Sequence, residues 1–174
     1  MNTVMGELIA YKAEAPFDRK LFSLSIPNLP SFPRKLELPS LHFVLLLACD
    51  ARVIEASVIA TFANSIIDQG IAYLCAWGPD CEPVHDIFDE VHVMREIDEK
   101  GEYPHVMTTW HTDESLDEAL WYMLNSAYPE EVFAQTCRVD LAVSVANDQW
   151  AAHIQRRLSN VSQLNEDVLS EEAS

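Results

Sequence analysis

The sequence predicts an α/β fold, a three-layer α/β/α sandwich built on a short, mostly parallel sheet of four strands. Four apolar runs of strand length, 41–48, 71–76, 105–110 and 139–145, are each followed by a helix-like stretch. Alternation of strand and helix is typical of a parallel sheet with right-handed crossovers. The first run is continuously apolar, as expected of a strand that is buried on both faces.

The first helix is the best defined of the elements between these runs. Ile54, Val58, Phe62 and Ile66 recur every four residues, which is the spacing of a buried helical stripe. Asp50 is expected to cap this helix at its start.

Capping residues also mark the three later helices. The second is expected to begin near Pro83, because proline suits the first helical position. Ser115 and Glu118 form a capping-box pattern at the start of the third helix. Asn147 or Asp148 is expected to cap the last one.

The two ends of the chain differ from its middle. Residues 1–40 are rich in proline and are expected to form an N-terminal arm that packs on a single α/β domain spanning 41–160. Within the arm, 7–11 and 21–26 have the composition of short strands. Residues 161–174 turn polar and acidic, and they are expected to be a disordered tail.

The formal net charge of −17 bears on the choice of partner. Nucleic acids and anionic membrane surfaces are both disfavoured, because binding to either requires Lys and Arg. Between residues 80 and 118 the basic residues are Arg95 and Lys100, and the acids are Asp80, Glu82, Asp86, Asp89, Glu90, Glu96, Asp98, Glu99, Glu102, Asp113, Glu114, Asp117 and Glu118. This segment is either a solvated surface or an electrostatic surface for a basic protein partner.

The sequence is typical of a cytoplasmic protein without a nucleotide cofactor. No apolar run approaches the roughly 20 residues of a membrane helix, and the N-terminus lacks the pattern of a signal peptide. The glycines Gly6, Gly70, Gly78 and Gly101 form neither a phosphate-binding loop nor a dinucleotide fingerprint. No cofactor is therefore expected, and whether the protein is an enzyme stays open.

The expected strand order is 2-1-3-4, the flavodoxin-like order, with its crevice between the first and third strands. This order places Asp50 opposite Trp110, His111 and Thr112, with Cys81 nearby. His111 is then a candidate acid/base or ligand contact, and Cys81–His111–Asp50 is a conceivable nucleophilic arrangement. The alternative is that His111 only forms hydrogen bonds within its loop.

The loops at this edge also supply candidate binding residues, because tryptophan side chains there can stack on a ring or anchor a partner. The alternative is that they pack in the core. The candidates are Trp77, Asp80, Trp110, Thr112 and Asp113. Cys81 and His85, four residues apart, are at most a weak zinc pair, so no metal site is predicted.

The leading functional hypothesis is a small acidic cytosolic binding or regulatory module that engages a protein partner. The alternative is a small enzyme or small-molecule-binding protein that uses the carboxyl edge of the sheet and His111. A third possibility is a homodimer whose interface contains the apolar N-terminal arm, the pair Tyr122-Met123 and Trp150.

Overall fold

A sheet of six strands organises the protein in its computed structural model, which describes residues 6–12, 18–99 and 104–174. All strands are parallel except the first, which pairs antiparallel with the second. The strands are β1 (Ile9–Tyr11), β2 (Lys20–Ile26), β3 (His42–Ala48), β4 (Ile71–Trp77), β5 (Met107–His111) and β6 (Cys137–Val145).

The spatial order of the strands is β1-β2-β6-β3-β4-β5. The predicted α/β class is confirmed, but the expected four strands in the order 2-1-3-4 are wrong. The second predicted strand, β4, lies between the first and third, and the fourth, β6, lies on the other side of β3.

Burial explains why the strands take these places. Every residue of β3 from Phe43 onwards is buried, and so is every residue of β6 from Val139 to Val145, which suits strands with neighbours on both sides. The sequence of β5 is the more polar one, and four of its five residues, Met107 to Trp110, are partly or fully exposed. That strand therefore takes the edge.

The N-terminal segment is part of the sheet rather than an arm laid on it. β2 pairs with β6 along its whole length, from Lys20 opposite Val139 to Ile26 opposite Val145. The structure thus shows no boundary at residue 40. Pro16, one of the prolines that suggested an arm, lies outside the described residues.

Five helices cover the two faces of the sheet in the described part of the chain: α1 (Ala56–Asp68), α2 (Glu82–Glu99), α3 (Leu116–Asn125), α4 (Asp148–Leu158) and α5 (Val161–Glu172). Buried residues of α1 and α2 share one core cluster. Those of α3, α4 and α5 share the other, on the opposite face of the sheet.

Most of the expected capping residues act as predicted. Ser115 and Glu118 form the full capping box of α3. The side chain of Asn147 accepts a hydrogen bond from the Trp150 amide at the start of α4. Asp50 instead caps a 3-10 turn over Ala51–Val53, and α1 begins only at Ala56.

The C-terminal residues form a packed helix where the sequence suggested a disordered tail. Val161, Leu164 and Val168 of α5 are buried in the same cluster as α3 and α4. Their spacing of three and four residues places them on one helical face, which gives this acidic segment a buried side.

A buried ion pair joins the N-terminal segment to β6 and α3. Arg19 Nε lies 2.8 Å from Asp140 Oδ1, and the two side chains are 5% and 0% exposed. The Arg19 guanidinium also donates to the carbonyl oxygens of Met123 and Ala127 at the end of α3. Burial raises the pKa of Asp140, and the charge of Arg19 opposes that rise.

We expect Arg19→Met to lower the free energy of unfolding by about 3–5 kcal/mol, because Asp140 would remain buried without its ion partner. The double variant Arg19→Met/Asp140→Leu should recover most of this loss, since it removes both charges. Urea unfolding at pH 8 measures all three proteins.

The loss in Arg19→Met should shrink as the pH falls from 8 towards 5. The charge of Arg19 opposes the rise that burial causes in the folded-state pKa of Asp140, so this pKa lies further above the unfolded value in Arg19→Met than in the wild type. Acidification therefore stabilises the variant more than the wild type. A pH-independent loss, or a double variant as unstable as the single one, would contradict this account.

Candidate functional site

His111 lies at the end of β5 in a set of internal hydrogen bonds. Its Nδ1–H donates to Glu114 Oε2 at 2.6 Å, and its Nε2 lies 3.1 Å from Thr109 Oγ1. The ring packs on Tyr122 with 4.7 Å between the centroids. Since the side chain is buried and both nitrogens have partners, His111 holds the turn between β5 and α3.

Two tyrosines sit beside this histidine. The hydroxyl groups of Tyr73 and Tyr122 lie 2.8 Å apart. Burial raises the pKa of Tyr73, and the hydrogen bond with Tyr122 raises it further. The phenol is therefore neutral near pH 7, and this group of side chains is a partly buried polar network.

Asp50 is not part of that network. It follows β3, where its carboxylate oxygens accept from Arg52 Nε at 2.8 Å and Nη2 at 2.7 Å, and this hydrogen bonding lowers the pKa of Asp50. The predicted placement of Asp50 opposite Trp110, His111 and Thr112 is wrong. Because β4 lies between β3 and β5, the two strands are about 10 Å apart.

Cys81 is the last residue of the loop between β4 and α2, and it lies near Cys49 after β3 and Thr112 after β5. Its buried Sγ lies 3.8 Å from Thr112 Oγ1. Burial raises the pKa of the neighbouring Cys49 to about 12, with smaller contributions from Cys81 and Asp50. The structure thus places Cys81, His111 and Asp50 at one edge of the sheet, each with other partners and without a hydrogen bond joining any two of them.

The two loop tryptophans have different environments. Trp77 Nε1 donates to the Glu114 carbonyl at 2.8 Å, and its ring meets Trp150 edge to face, so it serves packing. Trp110 is 43% exposed and lies over His85 with 4.4 Å between ring centroids.

The remaining candidate binding residues lie in turns at the carboxyl edge. Thr112 and Asp113 are exposed in the turn between β5 and α3. Asp80 has a φ of 55° in the turn between β4 and α2.

The second residue of the weak Cys81–His85 pair is hydrogen-bonded within the fold. His85 Nδ1 lies 2.7 Å from Thr108 Oγ1, which in turn donates to Asp89. Within the described ranges, no group of three or more His, Cys, Asp or Glu side chains is arranged to hold a metal ion.

A cleft of about 670 Å³ opens at the carboxyl ends of β3 and β6. The chain leaves these adjacent strands towards opposite faces of the sheet, since α1 packs on one face and α4 on the other. Such a switch point is where open α/β sheets bind ligands. The cleft is lined by Pro27, Asn28, Leu29, Pro30, Asp50, Arg52, Val53, Ile54, Glu55, Val58, Pro79, Val145, Ala146, Asn147 and Trp150.

The sequence placed Asp50 at a switch point but did not identify the facing strand. Ala146, which has a φ of 54°, turns the chain out of β6 opposite the loop that carries Asp50. Its amide donates to the Ile26 carbonyl at 2.8 Å, which ties this turn to β2. The signal available in the sequence is Asn147, which follows Ala146 after the fourth apolar run and also caps the last predicted helix.

A second exposed feature lies on α2 and is called here the acidic helix surface: Asp86, Glu90, Val93, Met94 and Ile97. Val93, Met94 and Ile97 are 50%, 56% and 64% exposed. Their spacing places them on the same side of the helix as Asp86 and Glu90. Lys100 and Glu102, which belong to the same acidic segment of sequence, lie outside the described residues, as does the side chain of Glu99.

A family model described as a domain of unknown function (DUF7684) matches residues 24–161, and the protein belongs to this family. The match runs from β2 through α4 and includes the cleft and α2. No curated protein and no solved structure matches the chain.

Among the described residues, none of the helices combines the length and apolar character needed to cross a bilayer.

We expect His111→Phe to lower the free energy of unfolding by about 1–2 kcal/mol, because the buried imidazole loses its hydrogen bonds to Thr109 and to the partly exposed Glu114 carboxylate. Asp113→Asn, two residues away and exposed, should change it by less than about 0.5 kcal/mol. Urea unfolding of both variants measures the difference. Equal stability of the two variants would show that the network contributes little.

Proposed function

We propose that the protein is a cytoplasmic, acidic α/β binding module that engages a basic protein partner through the acidic helix surface. The observation that carries this proposal is the exposure of Val93, Met94 and Ile97 on one helix that is otherwise strongly acidic. The four free, buried cysteines support a reducing compartment such as the cytoplasm.

The apolar part of this surface supplies the attraction expected of an interface. Three large apolar side chains within five residues are costly to leave in water, and their burial by a partner removes that cost. Single exposed apolar residues elsewhere, such as Val132 and Leu169, have no such neighbours in sequence.

The charged part of the surface favours a partner with positive charge. Arg95, the one Lys or Arg within α2, donates to the Asn64 carbonyl and forms an ion pair with Asp68 on α1. The positive charge of Arg95 therefore lies against α1 rather than on the outward side of α2. The outward side keeps Asp86 and Glu90 beside the apolar residues, which complements a partner carrying Lys or Arg around an apolar stripe.

The alternative is a small enzyme or small-molecule-binding protein at the sheet edge. His111 gives it little support because that side chain is buried and hydrogen-bonded on both nitrogens. The cleft between β3 and β6 gives ligand binding better support.

A homodimer is also a proposal, but Met123 cannot contribute to its interface because this side chain is fully buried inside the protein. Tyr122 and Trp150 are partly buried. Tyr122 contacts Tyr73, and Trp150 contacts Trp77. Native mass spectrometry measures this state directly.

The test is a capture experiment with matched baits. Wild-type protein and the variants Ile97→Ser and Leu169→Ser are immobilised, incubated with host lysate in 50 mM salt and compared by quantitative mass spectrometry. Partner proteins with basic segments should be retained by wild type and Leu169→Ser and reduced at least fivefold by Ile97→Ser, because only Ile97 belongs to the acidic helix surface.

The charge component is tested on the captured partner. Its affinity should fall steeply between 50 and 300 mM salt, and Glu90→Gln should reduce the association rate more than Glu171→Gln on α5. Capture that is equal for all three baits, or binding indifferent to salt, would contradict the proposed function.

A further inference from the structure

We propose that the cleft between β3 and β6 is a binding site for a small organic cation, with an apolar body inside the cleft and an amino group at Glu55. This site is separate from the acidic helix surface and does not depend on the proposed partner.

The size and walls of the cleft fit an organic molecule of modest size. Its volume of about 670 Å³ lies in the range of roughly 300–1,000 Å³ found for small-molecule sites. Most of the lining residues are apolar, and they come from both sides of the switch point. Leu29, Ile54 and Val58 belong to the α1 face, and Val145 and Trp150 belong to β6 and α4.

The polar side chains of the cleft are largely committed to the protein itself. Asn28 Oδ1 accepts from the Ser31 amide and hydroxyl, and Asn147 Oδ1 accepts from the Trp150 amide. Asp50 and Arg52 neutralise one another through two hydrogen bonds. These groups shape the rim, and they leave little charge to attract a ligand.

Glu55 is the charged lining residue whose carboxylate is not engaged by another side chain or a backbone amide in the described part of the chain. It precedes α1 without a side-chain capping bond, and no described residue forms a hydrogen bond or an ion pair with its carboxylate. A ligand ammonium group there would gain an ion pair at the rim while the ligand body contacts the apolar wall. Trp150 adds an aromatic side chain to the wall that the ligand body contacts.

An anionic ligand fits the same cleft poorly. The single cation, Arg52, is already bound to Asp50, and Asp148 occupies the first position of α4, next to the cap residue Asn147 that lines the cleft. With a formal net charge of −17, the protein also repels phosphates and carboxylates at long range. The distribution of charge therefore selects a cation.

The experiment compares three probes that share an indole body and differ in charge: tryptamine, 3-ethylindole and indole-3-propionate. Each is titrated into the full chain, and 1H–15N spectra follow the Trp150 indole and the backbone amides of 145–147. Dissociation constants are measured by calorimetry. We expect tryptamine to bind about fivefold more tightly than the neutral probe, and indole-3-propionate to bind most weakly.

Glu55→Gln should abolish the advantage of tryptamine over 3-ethylindole without changing the affinity for the neutral probe. Glu130→Gln is the matched control, because Glu130 is also an exposed glutamate that precedes a helical turn without a side-chain capping bond. It should leave all three affinities unchanged. Val58→Trp should weaken all three probes by filling the cleft.

Several results would overturn the proposal. Absence of shifts at Trp150 and 145–147 with every probe at millimolar concentration would show that the cleft takes no such ligand. Equal affinities, tighter binding of indole-3-propionate, or equal effects of Glu55→Gln and Glu130→Gln would show that Glu55 does not select a cation. None of these results bears on the partner captured by the acidic helix surface.

Discussion

The position of β6 between β2 and β3 is the constraint on which the rest of the structure depends. β6 pairs in parallel with both neighbours, so the central sheet is complete only when the C-terminal third of the chain inserts between two N-terminal strands. This insertion buries Asp140 beside Arg19. It also starts α4 on the opposite face from α1, and so it creates the switch point and its cleft.

The elements of the fold were predictable from local sequence, whereas their arrangement was not. Apolar runs identified four strands, and capping residues such as Ser115 and Asn147 marked helix starts, because these signals act over a few residues. The order of parallel strands depends on long-range pairing that periodicity does not encode. The buried side of α5 was missed because two valines and a leucine at helical spacing are a weak signal among acids.

The site was harder to predict because residue type alone does not distinguish a reactive group from a structural one. His111 has the chemistry of an acid/base, yet its side chain is buried and both of its nitrogens have hydrogen-bond partners, Glu114 and Thr109. Asp50 was expected beside a switch point between the first and third predicted strands, and the wrong strand order assigned it the wrong neighbours. The exposure of Val93 and Ile97 was not foreseen, because an amphipathic pattern predicts a buried side but not which apolar residues stay outside it.

The cleft and the acidic helix surface are physically connected through one loop. The loop from β4 to α2 contains Gly78, whose φ of 122° brings the chain against the Cys49 carbonyl so closely that a Cβ would lie 2.1 Å from that oxygen. The next residue, Pro79, lines the cleft and accepts the Ala51 amide at 3.0 Å. α2 begins three residues later, at Glu82. The backbone contacts that fix this loop to the end of β3 therefore position both one wall of the cleft and the start of the acidic helix. A change in the Ala51–Pro79 contact would therefore alter both surfaces together.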